Sequence, residues 1–234
     1  MATKTINWND GSGGKVYLTY ASATGDQTVA VSSDANTGAA RAMTVYFTTG
    51  NIARQLIVEQ EAALVPIQAT LEVNPSGYIE SGSGSAYYNL SNPSNAYTDE
   101  TSTTYAQIGL VRGSESAVTR MYFTFDTSSI PAGATIDSIS CKAKVYISNR
   151  TSSNVAVHTC QMYSGTTAKG TASNVTGSAA SVYTMSMGTW SRSEVNDVRI
   201  CLYAERGTAN LNTSYYFRFY GATLTITYTY MGTQ

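Results

Sequence analysis

The stretch YYFRFYGATLTITYTY, from Tyr215 to Tyr230, carries the strongest structural signal in the chain. Seven of its sixteen residues are tyrosine or phenylalanine, and apolar and polar side chains alternate along most of its length. Because successive side chains of a β-strand point to opposite faces, this alternation predicts a strand with one face in a core. The apolar positions change from odd to even around Gly221, which predicts a β-bulge or a tight bend there.

The composition of the whole chain extends this prediction to an all-β protein. Serine and threonine make up 61 of the 234 residues, together with 18 tyrosines and 19 glycines. Thr and Tyr suit a half-buried pleated surface, and small polar residues suit the turns between strands. The charged residues amount to 12% and the net charge is −1, which argues against electrostatic binding of nucleic acid or of an anionic membrane. We find no signal peptide and no apolar run of membrane-spanning length, so we expect synthesis in the cytoplasm.

Residues 1–63 form a series of strand signals that predicts a small antiparallel sandwich. The segments TINW, KVYLTY, QTVAVS, RAMTVYFTT and IARQLIVEQ are separated by turns rich in Gly, Asn and Asp. The segment SSDANTGAARAMTVYFTTGNIARQLIVEQEA resembles the second half of the bacterial BACON modules, which are immunoglobulin-like domains. The matching residues are Asn36, Thr37, Gly38, Arg41, Gly50 and Gln60. Members of that family occur in gut Bacteroidetes proteins and their phages, so the resemblance implies an Ig-like fold and binding of mucin or other glycans.

Residues 64–67 are expected to form a short linker, since Pro66 can end a strand. The following segment, 68–234, is predicted to be one larger β-sandwich. Its most informative part is RMYFTFDTSSIPAGATIDSISCKAKVYI, in which two alternating strands flank a Ser-Ser-Ile-Pro-Ala-Gly turn. This part resembles a signature of jelly-roll β-sandwiches related to carbohydrate-binding modules. Such sandwiches occur in secreted glycan-degrading enzymes and also, without an enzyme, in phage virion proteins.

The outward positions of the C-terminal strand are candidates for contact with a ligand or a partner. Tyr216, Arg218 and Tyr220 lie on the face opposite to the apolar one, although most of the aromatic row is expected to be core. Trp190 either plugs one end of the core, which is the commoner arrangement, or stacks on a sugar at the rim. The Gly/Ser runs SGSGSA, Ser81 to Ala86, and Ser164 to Ser181 are expected to be long loops. Tyr87 and Tyr88 lie beside the first run and would then be exposed as candidate contacts.

The residues with catalytic or metal-binding chemistry form no recognisable motif. His158 is the one histidine, and a packed or surface position is expected for it. Cys141, Cys160 and Cys201 are an odd, widely spaced set, expected to be reduced and structural. No CxxC, HxxxH or GxSxG pattern exists, so we predict no metal, no cofactor and no enzymatic activity.

The acidic residues are few and scattered through the larger segment. The closest groupings are Asp99 with Glu100 and Glu194 with Asp197, and a glycosidase would need two carboxylates facing across a sugar-sized gap. Asp126 is expected to accept a hydrogen bond from its own turn. A calcium site in the loops stays open as an alternative, without a DxDxDG-type motif to support it.

The two resemblances together imply a structural protein of a phage virion. We expect a head-decoration, head-fibre or auxiliary capsid protein that is homo-oligomeric, with a trimer favoured, and that contacts other capsid proteins through the N-terminal domain. The alternative is a carbohydrate-binding or host-adhesion module on a phage tail or a bacterial surface, with host or mucin glycans as ligands.

Overall fold

The computed structural model describes residues 2–20, 28–49, 51–83, 88–110, 117–148, 158–175, 179–206 and 215–233. The described chain is all-β apart from a 3₁₀ turn and one short helix. It divides into a small unit, Met1–Pro66 with Met231–Gln234, and a larger unit, Ile67–Tyr230. The prediction of an all-β protein is therefore confirmed.

The small unit is a sandwich of two antiparallel sheets. Its strands are β1 (Ala2–Asn7), β2 (Lys15–Tyr20), β3 (Val29–Ser33), β4 (Arg41–Thr49) and β5 (Ile52–Gln60). The first sheet has the order β1-β2-β3, and β4 pairs with β5 in the second. The buried side chains come from both sheets: Trp8, Val16, Leu18, Met43 and Val45. Alternation along each strand thus supplies one apolar face to a shared core.

Arg41 holds the turn between β1 and β2 against the second sheet of this unit. Its guanidinium carbon lies 4.5 Å from the centroid of the Trp8 ring, and its Nη1 donates to Asp10 at 2.9 Å. Its Nε donates to the side chain of Gln60 at 2.9 Å. The ion pair with Arg41 lowers the pKa of Asp10 below its usual range. Arg41 and Gln60, two of the residues behind the BACON resemblance, therefore have a structural role within the small unit.

The remaining strands and the helical turns belong to the larger unit, except that residues 64–66 and 231–233, in the first and last of these strands, are part of the small unit. The strands are β6 (Leu64–Val73), β7 (Pro75–Ser83), β8 (Tyr88–Ser91), β9 (Ala106–Leu110), β10 (Ala117–Phe125), β11 (Thr135–Ser148), β12 (His158–Ser164), β13 (Thr167–Asn174), β14 (Ser181–Met187), β15 (Val198–Arg206) and β16 (Tyr215–Thr233). The 3₁₀ turn is Pro93–Ala96, and the helix α1 is Arg192–Val195. Ser191 and Glu194 form a capping box at the start of this helix.

Two antiparallel sheets pack face to face in the larger unit. We name them after their central strands. The β16 sheet has the order β14-β11-β16-β9-β8, with β6 also paired to β16, and the β15 sheet has the order β13-β12-β15-β10-β7. Phe123 of the β15 sheet and Phe219 of the β16 sheet are both fully buried, with ring centroids 4.4 Å apart. The two inner faces therefore form one continuous core.

Two segments differ from their expected structure. Residues 64–67, expected as a linker, begin strand β6, which continues through Pro66 to Val73. The Ser/Thr/Gly-rich segment from Ser164 to Ser181, expected as a long loop, contains β13, which pairs with β12. That expectation was wrong for residues 167–174, because a pairing partner outweighs weak strand propensity at the edge of a sheet.

Candidate ligand-binding face

The outer face of the β16 sheet carries a compact group of tyrosines and cations. It consists of Tyr105, Lys144, Tyr146, Arg218 and Tyr220, all partly exposed, and is called here the tyrosine–cation cluster. Lys144 and Tyr146 lie on β11, and Arg218 and Tyr220 on β16. Tyr105 lies immediately before β9. Three adjoining elements thus converge on one patch of the sheet surface.

Strand alternation directs these side chains outward. On β16, Phe217 and Phe219 are fully buried, which turns Arg218 to the opposite face. On β11, Val145 and Ile147 are buried in the same way, so the residues between and before them face outward. The register then aligns the outer side chains across three strands, because Arg218 lies opposite Tyr146 on one side and Gln107 on the other.

A β-bulge in β16 places Tyr220 on this face. Val145 pairs with Phe219 and Lys144 with Gly221, which leaves Tyr220 as an extra residue in the strand. Gly221 has a φ of 148°, and the next amide, of Ala222, donates to the carbonyl oxygen of Thr98 at 2.9 Å. Downstream of the bulge, the buried positions are even-numbered instead of odd. The bulge predicted at Gly221 is therefore confirmed.

Arg218 lies between tyrosine rings. Its guanidinium carbon is 4.5 Å from the centroid of the Tyr105 ring and 5.6 Å from that of Tyr146, distances at which a cation is attracted to a ring face. Its Nε donates to the Gln107 side chain at 2.9 Å. The ring of Tyr105 in turn meets that of Tyr220 edge-on, with centroids 5.2 Å apart. These contacts fix the orientation of the guanidinium plane and of two rings.

Lys144 completes the cluster at its other end. Its Nζ lies 5.0 Å from the centroid of the Tyr220 ring and donates to the carbonyl oxygen of Ser102 at 2.8 Å. The nearby carboxylate of Glu100 accepts a hydrogen bond from the Thr223 hydroxyl. The resulting surface combines aromatic faces with nitrogen donors, a combination that suits a ligand with both apolar faces and oxygen acceptors.

The candidate contact residues lie in different places. Tyr216, Arg218 and Tyr220 are on the outer face of β16, and the last two belong to the tyrosine–cation cluster. Trp190 is 5% exposed and belongs to the core, with Lys169 Nζ 5.1 Å from its ring centroid.

The other two candidates are less fully placed. The backbone of Tyr88 begins the short strand β8, opposite Leu110 of β9. Tyr87 lies outside the described residues. Of the preceding Gly/Ser run, Ser81 to Ser83 belong to β7 and pair with β10, so the expectation of a loop was wrong for those three residues.

Three members of the cluster were missed as candidates. Lys144 and Tyr146 alternate with buried residues of β11, which does signal their outward direction. Their proximity to Tyr105 and Arg218 depends on strand pairing between distant segments, and the sequence pattern contains no information on that register.

The histidine and the cysteines belong to the core and its margin. His158 is 4% exposed, and its ring meets the Phe217 ring edge-on. Cys141, Cys160 and Cys201 are free and buried. Burial raises the pKa of Cys160 and of Cys201 to about 12, and that of Cys141 still further, which keeps all three protonated at neutral pH.

The carboxylates noted in the sequence have structural partners. Glu194 pairs with Lys169, and this hydrogen bond together with that from the Ser191 amide lowers the pKa of Glu194 to about 2. Asp197 pairs with Arg199. Asp126 accepts a hydrogen bond from the Ser128 amide at 2.9 Å, which confirms the predicted turn. Within the described ranges, no group of three or more His, Cys, Asp or Glu side chains could hold a metal ion, and no helix could cross a membrane.

Comparison with known proteins gives distant structural similarity. No protein-family model matches the chain, and no curated protein matches it either. The chain is similar to the xylan-binding module CBM15 at 13% identity and a TM-score of 0.37, over 68% of this chain and 97% of that one. A carbohydrate-binding module of the β-sandwich superfamily matches at 10% identity and a TM-score of 0.40, over 94% of this chain and 96% of that module. A chain from the structure of infectious bursal disease virus Gx strain matches at 10% identity and a TM-score of 0.27. That match covers 92% of this chain and 41% of the viral one. Scores this low carry no functional argument.

Proposed function

We propose that this protein is a non-catalytic glycan-binding protein whose larger sandwich holds a polysaccharide on the tyrosine–cation cluster. The observation that carries the proposal is the packing of Tyr105 and Tyr146 against Arg218, with Tyr220 against Tyr105, on the outer face of one sheet. A tyrosine has an apolar ring face and a polar hydroxyl, which match the apolar and hydroxylated sides of a sugar. Lys144, Arg218 and Gln107 add nitrogen groups that can donate to sugar oxygens.

Rigidity of the cluster supports binding. Tyr146, Arg218 and Gln107 lie in register on three adjacent strands, and the contacts among Arg218, Tyr105 and Tyr220 restrict their rotamers. Side chains that are ordered before the ligand arrives lose less conformational entropy on binding. An extended polymer is a suitable ligand because the partly exposed side chains of Gln107, Arg218 and Tyr146 follow one another across three adjacent strands.

The proposal of a non-catalytic role rests on the chemistry of the same face. The cluster supplies cations and phenols, and the neighbouring Gln107 supplies an amide. The thiols are buried, and their raised pKa keeps them protonated. The Glu100 carboxylate beside the cluster is bonded to Thr223. Glycoside hydrolysis needs two facing carboxylates, and a binding surface needs none.

Removing either ring should weaken polysaccharide binding and leave the fold intact. For Tyr105→Ala and Tyr220→Ala in the full chain, we expect affinity to fall about tenfold, since one aromatic contact contributes roughly 1.4 kcal/mol. Affinity electrophoresis against a panel of neutral and acidic polysaccharides, followed by calorimetry on the best ligand, measures this. Tyr78→Ala is the matched control, because Tyr78 is 43% exposed on β7 of the other sheet. The proposal would be contradicted if all three variants lost affinity equally, or if the wild-type protein bound no polysaccharide of the panel.

A second candidate function is that of a phage virion structural protein, assembled through the small unit with copies of itself and with other capsid proteins. The exposed apolar side chains of β4 and β5 favour it. Tyr46 is 66% exposed, Ile52 55% and Ile57 56%. Tyr46 lies opposite Gln55, and Ile57 opposite Thr44, so Tyr46 and Ile57 are diagonal neighbours on one face. Exposed apolar patches are typical of assembly contacts.

Replacement of these side chains tests the second candidate. The Tyr46→Ser, Ile57→Ser double variant should shift oligomer dissociation to about tenfold higher protein concentration, measured by sedimentation or mass photometry. Val182→Ser is the control, since Val182 is 51% exposed on β14 of the larger unit. A wild-type protein that stays monomeric at every concentration would contradict assembly through this face. Particles imaged with the protein on the capsid would support the virion location.

A further inference from the structure

We infer that the glycan bound by this protein is acidic, and that a sugar carboxylate is held between Lys144 and Arg218. This inference rests on the proposed function and specifies the ligand of the same site. It depends on three observations: the partners of these two cations, the donors they have left, and the charge of their surroundings.

Neither cation has a carboxylate partner. Among the residues that the structure describes, no salt bridge involves Lys144 or Arg218, although both are partly buried. Three other cations with restricted exposure, Arg41, Lys169 and Arg199, each pair with an aspartate or glutamate. A partly desolvated charge is stabilised by an opposite charge within a few ångströms. A carboxylate from the ligand would supply it here.

Both cations also have donors that are not used within the described part of the protein. The Nε of Arg218 donates to Gln107, which leaves its two terminal nitrogens to form paired hydrogen bonds with a carboxylate. Lys144 has three N–H donors, of which one is bonded to Ser102. Arg192 shows the contrasting case, since its guanidinium donates to the oxygens of Ile130, Pro131 and Asn196.

The spacing of the two cations fits one sugar unit. Arg218 lies opposite Tyr146, and Lys144 is two residues from Tyr146 on the same face, so the two cations are diagonal neighbours, at a residue spacing of about 7–8 Å. The rings of Tyr220 and Tyr105 link them, at 5.0 Å from Lys144 and 4.5 Å from Arg218. A sugar ring packed on these tyrosines would have its carboxylate between the two cations.

The positive charge is local and does not reflect a basic protein. The whole chain has a net charge of −1, with 14 basic and 15 acidic residues. The Glu100 carboxylate accepts a hydrogen bond from the Thr223 hydroxyl and forms no salt bridge with either cation within the described residues. Two adjacent cations without a carboxylate partner therefore give this face a positive potential that selects acidic over neutral polymers.

Pairs of polymers that differ only in charge test this inference on the intact chain. Polygalacturonate and alginate are compared with their carboxyl-reduced forms, in which each acid becomes a neutral alcohol on the same backbone. We expect reduction to weaken binding about tenfold or more, since a hydrogen bond to a charged group is worth about tenfold in affinity. Binding to the acidic form should also weaken at high ionic strength.

Charge-removing variants assign the effect to the two residues. Lys144→Gln and Arg218→Gln should each weaken binding of the acidic polymer about tenfold more than binding of the reduced one, and Arg218→Lys should retain part of the binding. Lys4→Gln makes the same change in net charge on an exposed strand of the small unit and should bind normally. Equal binding of acidic and reduced polymers would overturn this inference and leave glycan binding in place. Absence of binding to every polysaccharide, neutral or acidic, would overturn both.

Discussion

The Gly221→Val variant is expected to lose about 4 kcal/mol of unfolding free energy together with its ligand binding. A Cβ atom at this position would lie 2.4 Å from the carbonyl oxygens of both Thr98 and Asp99. These are backbone atoms, so no side-chain rotation relieves the clash. The φ of 148° adds strain of about 1–3 kcal/mol for a residue other than glycine. Relief requires residues 98 and 99 to move away from β16, and the segment they begin leads to Tyr105.

Denaturant unfolding and polysaccharide binding measure the two losses. Gly133→Val is the matched control, because a Cβ atom at Gly133 would meet no atom within 4 Å. We expect that variant to stay within about 0.5 kcal/mol of the wild type. A Gly221→Val protein with wild-type stability would show that the bulge relaxes without displacing residues 98 and 99. That result would contradict the proposed link between the bulge and the binding face.

Phe219→Ala is expected to destabilise the larger sandwich by about 4 kcal/mol. Phe219 is fully buried, and its ring lies 4.4 Å, centroid to centroid, from that of Phe123 in the opposite sheet. The substitution leaves a cavity between the two sheets, which a close-packed core fills poorly. Thermal and denaturant unfolding of the full chain measure the loss.

The neighbouring residue provides the control for Phe219. Tyr220→Ala changes an aromatic residue of similar size on the outer face, so we expect a stability loss of about 1 kcal/mol and a larger effect on binding. The Phe123→Ala, Phe219→Ala double variant should show a coupling energy of about 1 kcal/mol, because the two rings contact each other. Similar stability losses for Phe219→Ala and Tyr220→Ala would contradict the assignment of faces in β16.

The alternation in β16 was sufficient to predict its inner and outer faces and the shift of the apolar positions from odd to even numbers at Gly221. Both features are local, since they depend on the period of the strand and on one glycine. The buried position of Trp190 and the Asp126 turn follow from similarly local preferences. Local patterns of this kind predict which side chains face the core.

The tyrosine–cation cluster could not be predicted in the same way. Arg218 meets Tyr105 and Tyr146 through the pairing of β16 with β9 and β11, and pairing between distant strands is set by the packing of the whole sandwich. The strand β13 was missed for a related reason. Its sequence, TAKGTASN, has low strand propensity, and pairing with β12 stabilises the strand conformation that these residues favour only weakly.

The Gly- and Ser-containing strands have a consequence for the behaviour of the protein at high concentration. In the described strand order, β7 and β13 form the two borders of the β15 sheet, with the sequences PSGYIESGS and TAKGTASN. A border strand presents unsatisfied amide and carbonyl groups to which a strand of another molecule can add, and continuous apolar side chains would stabilise such fibrous stacking. Tyr78 and Ile79 of β7 are each 43% exposed, whereas the small polar residues and the glycine of β13 offer little to hold an added strand. The β13 border is thereby protected against strand addition, even where many copies lie side by side.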